Sequence, residues 1–155
     1  MKILNATRQN HIQLIEVWEA SVRATHDFLP EAEIAKLKPL ILNFYFDAVD
    51  LKYVKNKQDK ILGFIGVKDG NIEMLFISPE TRRTGVGRLL TRHAIENQGA
   101  KKVDVNEQNE QAVGFYKHLG FSVIGRSPLD GQGDPYPLLH MKLDENKPVD
   151  KFLEA

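Results

Sequence analysis

The stretch Leu75-Phe76-Ile77-Ser78-Pro79-Glu80-Thr81-Arg82-Arg83-Thr84-Gly85-Val86-Gly87-Arg88 leaves an apolar strand, passes a proline and enters a loop with three arginines and two glycines. Asn71–Ser78 reads as the strand and Pro79 ends it. The loop at Arg82–Gly87 opens a helix that reaches about Asn97. The first N–H groups of a helix have no internal partner, and the helix dipole is positive at that end, so the geometry favours an anion. Glycine at 85 and 87 lets the backbone approach a phosphate without a Cβ clash. Arg82, Arg83 and Arg88 add positive charge. Two other phosphate motifs fail on inspection. The Walker string Gly-x-x-x-x-Gly-Lys-Ser/Thr is absent, and Leu90 stands where a dinucleotide fingerprint needs its third glycine. A tight strand-to-helix turn with solvated arginines is the competing reading of a bare Gly-x-Gly.

Working outward from the loop, Lys60–Lys68 is an apolar strand joined to Asn71–Ser78 through Asp69-Gly70, a hairpin signal. Leu51–Lys55 is a short strand before it. Upstream lie a strand near Lys2–Ala6 and a helix with Ile12, Ile15, Trp18 and Val22 on one stripe. A second helix follows Pro30, carrying Ile34, Leu37, Ile41 and Phe44, and Pro39 is expected to kink or split it. Downstream come a strand at Lys102–Asn106, a helix at Gln108–Leu119 stopped by Gly120, and strands at Phe121–Arg126 and Leu138–Leu143. Ser127–Pro137 is a loop between the last two strands. The order β-α-α-β-β-β-α-β-α-β-β predicts an α/β layer fold, antiparallel in its first half with parallel crossover units later.

The chain has 155 residues, 42% of them hydrophobic and 27% charged, which suits one domain with a sizeable core. We expect that domain over residues 1–144 and a charged tail over 145–155. Cysteine is absent, which excludes disulfides, thiolate metal sites and a cysteine nucleophile; no metal is expected. Lys+Arg and Asp+Glu number 21 each, and this zero net charge argues against a nucleic-acid partner. No apolar run approaches the roughly 18 residues that span a bilayer. Met1-Lys2-Ile3-Leu4-Asn5 lacks a signal core. The expectation is a cytoplasmic protein with no membrane partner.

A second stretch, Asn106-Glu107-Gln108-Asn109-Glu110-Gln111-Ala112-Val113-Gly114-Phe115-Tyr116, follows a strand and starts a helix for which Asn109 is a fair N-cap. By themselves, Phe115 and Tyr116 read as core aromatics. The two stretches together resemble the GCN5-related N-acetyltransferase (GNAT) family. Arg82-x-x-Gly85-x-Gly87 looks like its pyrophosphate motif, although Arg83 occupies a position where many members carry glycine. Asn109, Ala112, the Phe115-Tyr116 pair and Gly120-Phe121 look like its second signature. Ser21–Leu29, Asn106–Tyr116 and Pro135–Leu139 extend the resemblance to a bacterial YjaB-type subgroup, over nearly the whole chain.

The resemblance implies a mixed, mostly antiparallel sheet of about six to seven strands flanked by four helices. It implies acetyl transfer from acetyl-CoA to a primary amine by direct attack on the thioester. The acceptor classes are peptidyl lysine, a protein N-terminus or a small-molecule amine. The donor would be held by Phe76, Ile77, Arg82, Arg83, Thr84, Gly85, Val86, Gly87, Arg88, Asn109 and Tyr116. Within that set, the loop amides would grip the diphosphate and Asn109 would contact the pantetheine arm. The Ile77 N–H would stabilise the oxyanion, and Tyr116 would protonate the departing thiolate.

An alkyl ammonium with pKa about 10.4 must lose a proton before attack. Glu73, on the strand that carries Phe76 and Ile77, is the leading base; a solvent-facing Glu73 is the alternative. His26 and His140 are further candidates. His26, Asn106 and Tyr136 are assigned to the acceptor, and Arg23, Asp27, Tyr45 and Asp134 lie in segments that line acceptor sites in related folds. The expected assembly is a monomer or homodimer. The competing functions are a non-catalytic acyl-CoA-binding regulator and an acetylating toxin acting on charged tRNA. Intact Tyr116 and Asn109 oppose the first of these, and the net charge opposes the second.

Overall fold

The computed structural model describes residues 1–144; the expected tail at 145–155 lies outside them. Seven strands form one sheet in the order β1-β2-β3-β4-β5-β7-β6. The strands are β1 (Lys2–Asn5), β2 (Asp50–Lys55), β3 (Ile61–Lys68), β4 (Asn71–Ile77), β5 (Lys102–Asn106), β6 (Phe121–Ser127) and β7 (Leu138–Leu143). The four helices are α1 (His11–Thr25), α2 (Glu31–Leu40), α3 (Val86–Asn97) and α4 (Glu110–His118). Every neighbouring pair is antiparallel except β4–β5. The loop Ser127–Pro137 lets β7 return between β5 and β6, so these two strands run the same way without touching.

The central strand β3 buries seven of its eight residues because helices cover both faces. On one face Leu62, Ile65 and Val67 pack with Leu90 and Ala94 of α3 and Tyr116 of α4. On the other, Phe64 packs with Leu14, Trp18 and Val22 of α1, Ile34 of α2 and Phe46.

Two details of the helical stripes differ from the sequence reading. Ile12 is 63% exposed, and Leu14 (0%) takes its place beside Ile15, Trp18 and Val22. Phe44 is 64% exposed, whereas Phe46 is buried. Pro39 lies in the last turn of α2 and cannot donate to the carbonyl four residues back. The chain continues as a wide π turn over Ile41–Tyr45 and a 3-10 turn over Phe46–Ala48. The changed winding after the proline rotates Phe44 outward and Phe46 inward.

The feature that makes the site is an opening in the sheet. β4 and β5 pair only at Asn71–Lys102 and Ile72–Val103. Just beyond, β4 carries a bulge: Val67 opposes Ile72 and Gly66 opposes Met74, which leaves Glu73 without a cross-strand partner. A bulge bends its strand and increases its twist. From Glu73 onward β4 has no neighbour on its β5 side, and the two strands part.

Candidate active site

The gap between β4 and β5 widens into a cleft of about 520 Å³, closed at one end by the glycine loop and on one side by α4. The Ser78 N–H donates to the Leu62 carbonyl of β3 at 2.8 Å. N–H directions alternate along a strand, so the Ile77 N–H points the other way, into the opening. A backbone donor free of any strand partner therefore faces the cleft.

The loop is set by local rules. The Thr81 hydroxyl shares its one proton between the carbonyls of Ser78 (3.0 Å) and Leu62 (3.2 Å), and the Thr84 hydroxyl donates to the Thr81 carbonyl. These bonds fold the chain back over the end of β4. Gly85 is the N-cap of α3 and sits at φ +91°, the left-handed region that glycine enters without penalty. No side chain caps α3, so its first amides are open to the cleft. A Cβ on Gly87 would meet the Phe115 ring at an ordinary contact distance of 3.4 Å. Arg83 holds φ +66°, so an arginine sits in a glycine-like conformation at the position where the family pattern favours glycine.

The cleft gathers most of the residues singled out in the sequence. Phe76, Ile77, Arg82, Arg83, Gly85, Gly87 and Arg88 line it from β4, the loop and α3; Asn109 and Tyr116 line it from α4, and His26 from α1. The side chains of two loop residues go elsewhere. Thr84 turns to the Thr81 carbonyl and Val86 enters the core, so each could offer the cleft only its backbone.

Asn109 is the N-cap of α4, its Oδ1 accepting the Ala112 N–H at 3.2 Å. Tyr116 is 5% exposed and packed edge-on against Phe115 and Phe121. Its hydroxyl makes no side-chain hydrogen bond among the described residues, and burial pushes the phenol well above the ordinary tyrosine range. The phenol is therefore a neutral donor with its proton available.

Other residues of the sequence reading stand outside this cleft. Glu73 lines two further cavities of about 470 Å³ each. One is walled by Trp18, Tyr45, Phe76 and Gln132; the other holds Asp104 and His140. Phe76 lines both the main cleft and the first of these cavities. Asn106 accepts the Gln108 N–H at 2.9 Å and shapes the turn into α4. Tyr136 stacks near Phe28 at 6.4 Å, and Phe28 in turn lies 5.3 Å from His26. His140 bridges Asp104 (2.6 Å) and Ser127 (2.7 Å) in a row across β5, β7 and β6. Arg23 is engaged by Glu19 and Glu31 on the outer surface.

Sequence reasoning missed Ser21, Thr25 and Gln111 as cleft residues. Ser21 and Thr25 are one helical turn apart on α1, at a spacing that signals a shared face. Gln111 meets Arg82 at 3.5 Å and ties the loop to α4, a contact with no sequence signature.

Among the described residues, no helix is long and apolar enough to cross a membrane, and no cluster of three or more His, Asp or Glu could hold a metal ion.

Comparisons with known proteins agree with this fold. The family model described as "Acetyltransferase (GNAT) domain" matches residues 43–144. The peptidyl-lysine N-acetyltransferase YjaB of Salmonella typhimurium is 42% identical over 142 residues, covering 90% of this chain and 97% of that protein. The solution structure of apo YjaB from Escherichia coli superposes with a TM-score of 0.83 at 40% identity, covering 91% of this chain and 95% of that one. The PaiA N-acetyltransferase of Thermoplasma acidophilum, solved with coenzyme A, shares the fold at a TM-score of 0.71 and 18% identity, covering 92% and 98%. The chain belongs to the GNAT family, and it is an N-acetyltransferase that moves an acetyl group from acetyl-CoA to an amine.

Proposed function

We propose that the amine is the side chain of a peptidyl lysine and that donor and acceptor meet around Phe76 from the two cavities that share it. The observation that carries this reading is the split itself. On one side, open α3 amides, three arginines and Tyr116 line a single cleft. On the other, Glu73 sits in cavities reached past Tyr45 and Gln132. The YjaB proteins of Salmonella and Escherichia coli, each 42% identical to this chain, are peptidyl-lysine N-acetyltransferases, which favours lysine among the amines.

The residues present fit a diphosphate-bearing thioester. The amides of Gly85, Val86, Gly87 and Arg88 bind the diphosphate, helped by the positive end of α3 and the charges of Arg82, Arg83 and Arg88. Asn109 holds the arm that leads to the sulfur. Bound acetyl-CoA supplies an acetyl group already activated as a thioester. The Ile77 N–H donates to the carbonyl oxygen as negative charge develops there; a fixed donor of this kind stabilises the transition state more than the ground state. Glu73 accepts a proton from the lysine ammonium, directly or through water, and frees the lone pair that attacks. As the C–S bond breaks, the Tyr116 O–H gives its proton to the departing sulfur, and the second proton shed by the acylated nitrogen restores the phenol; the raised phenol pKa keeps Tyr116 protonated until that step. His26, Asn106 and Tyr136 border the route by which the acceptor arrives, Asn106 through the turn it shapes.

The test is a panel of acceptors offered with acetyl-CoA: lysine peptides, peptides with only a free N-terminus, and polyamines, with free thiol and acetylated product measured together. Lysine peptides should turn over fastest. Faster turnover on polyamines or N-termini would overturn the acceptor assignment.

A further inference from the structure

A hydrogen-bonded row links the end of α1 to the start of α4 at the donor cleft, and the chemistry above uses His26 and Asn109 separately but not the bond between them. Because Asn109 Oδ1 caps α4, its Nδ2 is directed away from that helix, and it lies 3.3 Å from His26 Nε2. On the far side of the ring, His26 Nδ1 is 2.8 Å from Thr25 Oγ1. The Thr25 hydroxyl donates its single proton to the Ser21 carbonyl at 2.8 Å. With that proton committed, Thr25 Oγ1 acts as an acceptor, so the ring proton is on Nδ1 and the Nε2 lone pair faces the Asn109 amide. Every proton direction along Ser21, Thr25, His26 and Asn109 is thereby assigned. Phe28 and Phe76 flank the imidazole, with ring centroids at 5.3 and 6.4 Å.

We infer that His26 is a positioning residue: as a neutral imidazole it holds the Asn109 amide in its donor-binding orientation, and protonation of the ring releases that amide and weakens acetyl-CoA binding. This rests on the donor-cleft reading proposed above.

An imidazolium would present an N–H to the Asn109 NH2, two donors face to face, and the row would open. The charged groups around the ring act in both directions. Burial is the main influence and lowers the His26 pKa, while the neighbouring Asp27 raises it. Arg82, Arg83 and Arg88 border the same cleft from the loop and α3; from α4 there is only neutral Tyr116 and from β4 only apolar residues. The net shift is downward, so the ring is neutral at pH 7. Donor affinity is therefore complete above the folded-state pKa and declines as pH falls through it, on the acid side of the ordinary histidine value.

Titration of acetyl-CoA into the full chain from about pH 5 to pH 8, with steady-state kinetics, separates the possibilities. Glutamine offers an acceptor oxygen but does not titrate; alanine offers neither property. His26→Ala should raise the Kd for acetyl-CoA about tenfold near pH 7.5, the scale of one lost hydrogen bond. His26→Gln should stay within about threefold of wild type and lose the weakening at acid pH. Thermal unfolding of each variant confirms the fold, and the glutamine variant keeps the test open if alanine destabilises α1. A glutamine variant as weak as alanine, or one that retains the acid limb, overturns the inference. So does a loss of kcat at unchanged Kd in both variants, which would make His26 a base. Absence of acetyl-CoA binding by the wild type would instead remove the cleft reading itself.

Discussion

Tyr116 shows how burial prepares a single residue for one step. Desolvation raises its phenol pKa, so the side chain does not ionise in the working range and any alkaline limb in the rate must come from another group. Tyr116→Phe should lower kcat about a hundredfold, within the usual range for a lost general acid, and leave the acetyl-CoA Kd within about twofold. Stopped assays at saturating donor together with equilibrium binding measure both, and an unchanged kcat would remove Tyr116 from the acid role.

Arg83 shows the opposite economy. It occupies φ +66° with its side chain exposed. Relief of left-handed strain is worth about 1–2 kcal/mol, and the extra freedom of glycine in the unfolded chain returns about 0.5–1 kcal/mol. Arg83→Gly should therefore raise stability by about 0.5–1 kcal/mol, read as an increase in melting temperature of roughly 2 °C. The unusual arginine was legible in the sequence. That its backbone is left-handed was not, because φ depends on how Thr81 and Thr84 fold the loop back on itself.

At the scale of elements, the end of β4 is the critical piece. Its position depends on close approach to β3. A Cβ on Gly63 would lie 2.7 Å from Ile77 Cδ1 and 3.0 Å from the Phe76 carbonyl oxygen. Gly63→Ala should destabilise the domain by about 1–3 kcal/mol, the usual cost of overpacking. It should also weaken acetyl-CoA binding, because Phe76 and Ile77 form one wall of the cleft. Denaturant unfolding and donor titration of the same variant test the two effects.

Strand boundaries were readable from apolar runs and turn residues to within a residue or two. The helical stripes were less so. Ile12 and Phe44 fit a periodic pattern on paper yet face solvent, because the register of α1 and the wide turn after Pro39 are fixed by packing against β3 and β4. The loop between β6 and β7 is tied to α2 by Lys36–Asp134 at 3.0 Å and to Tyr45 by Gln132 at 2.8 Å. Neither contact, spanning about ninety residues of chain, leaves a local trace.

For the molecule as a whole, a donor that bridges the α3 N-terminus, β4 and α4 stabilises the folded state by mass action. At about 100 times Kd, acetyl-CoA should add about 2.7 kcal/mol, a rise of roughly 5–10 °C in melting temperature for a chain of this size. ATP and NAD at the same concentration serve as controls, since the Walker and dinucleotide patterns are absent from the chain. A shift as large with NAD would show that the loop lacks the assigned selectivity.

The sequence by itself determined the order of elements, the two signatures and therefore the family. All of these are local: they depend on glycine, proline and capping chemistry within a dozen residues. Only the tertiary structure decided that β4 parts from β5 at the Glu73 bulge, that Glu73 and Tyr116 line different cavities that share Phe76, and that His26 reaches Asn109 across 83 residues. Those facts follow from strand pairing and from two cores packed on opposite faces of one sheet, where each side chain's place is set by neighbours distant in the chain.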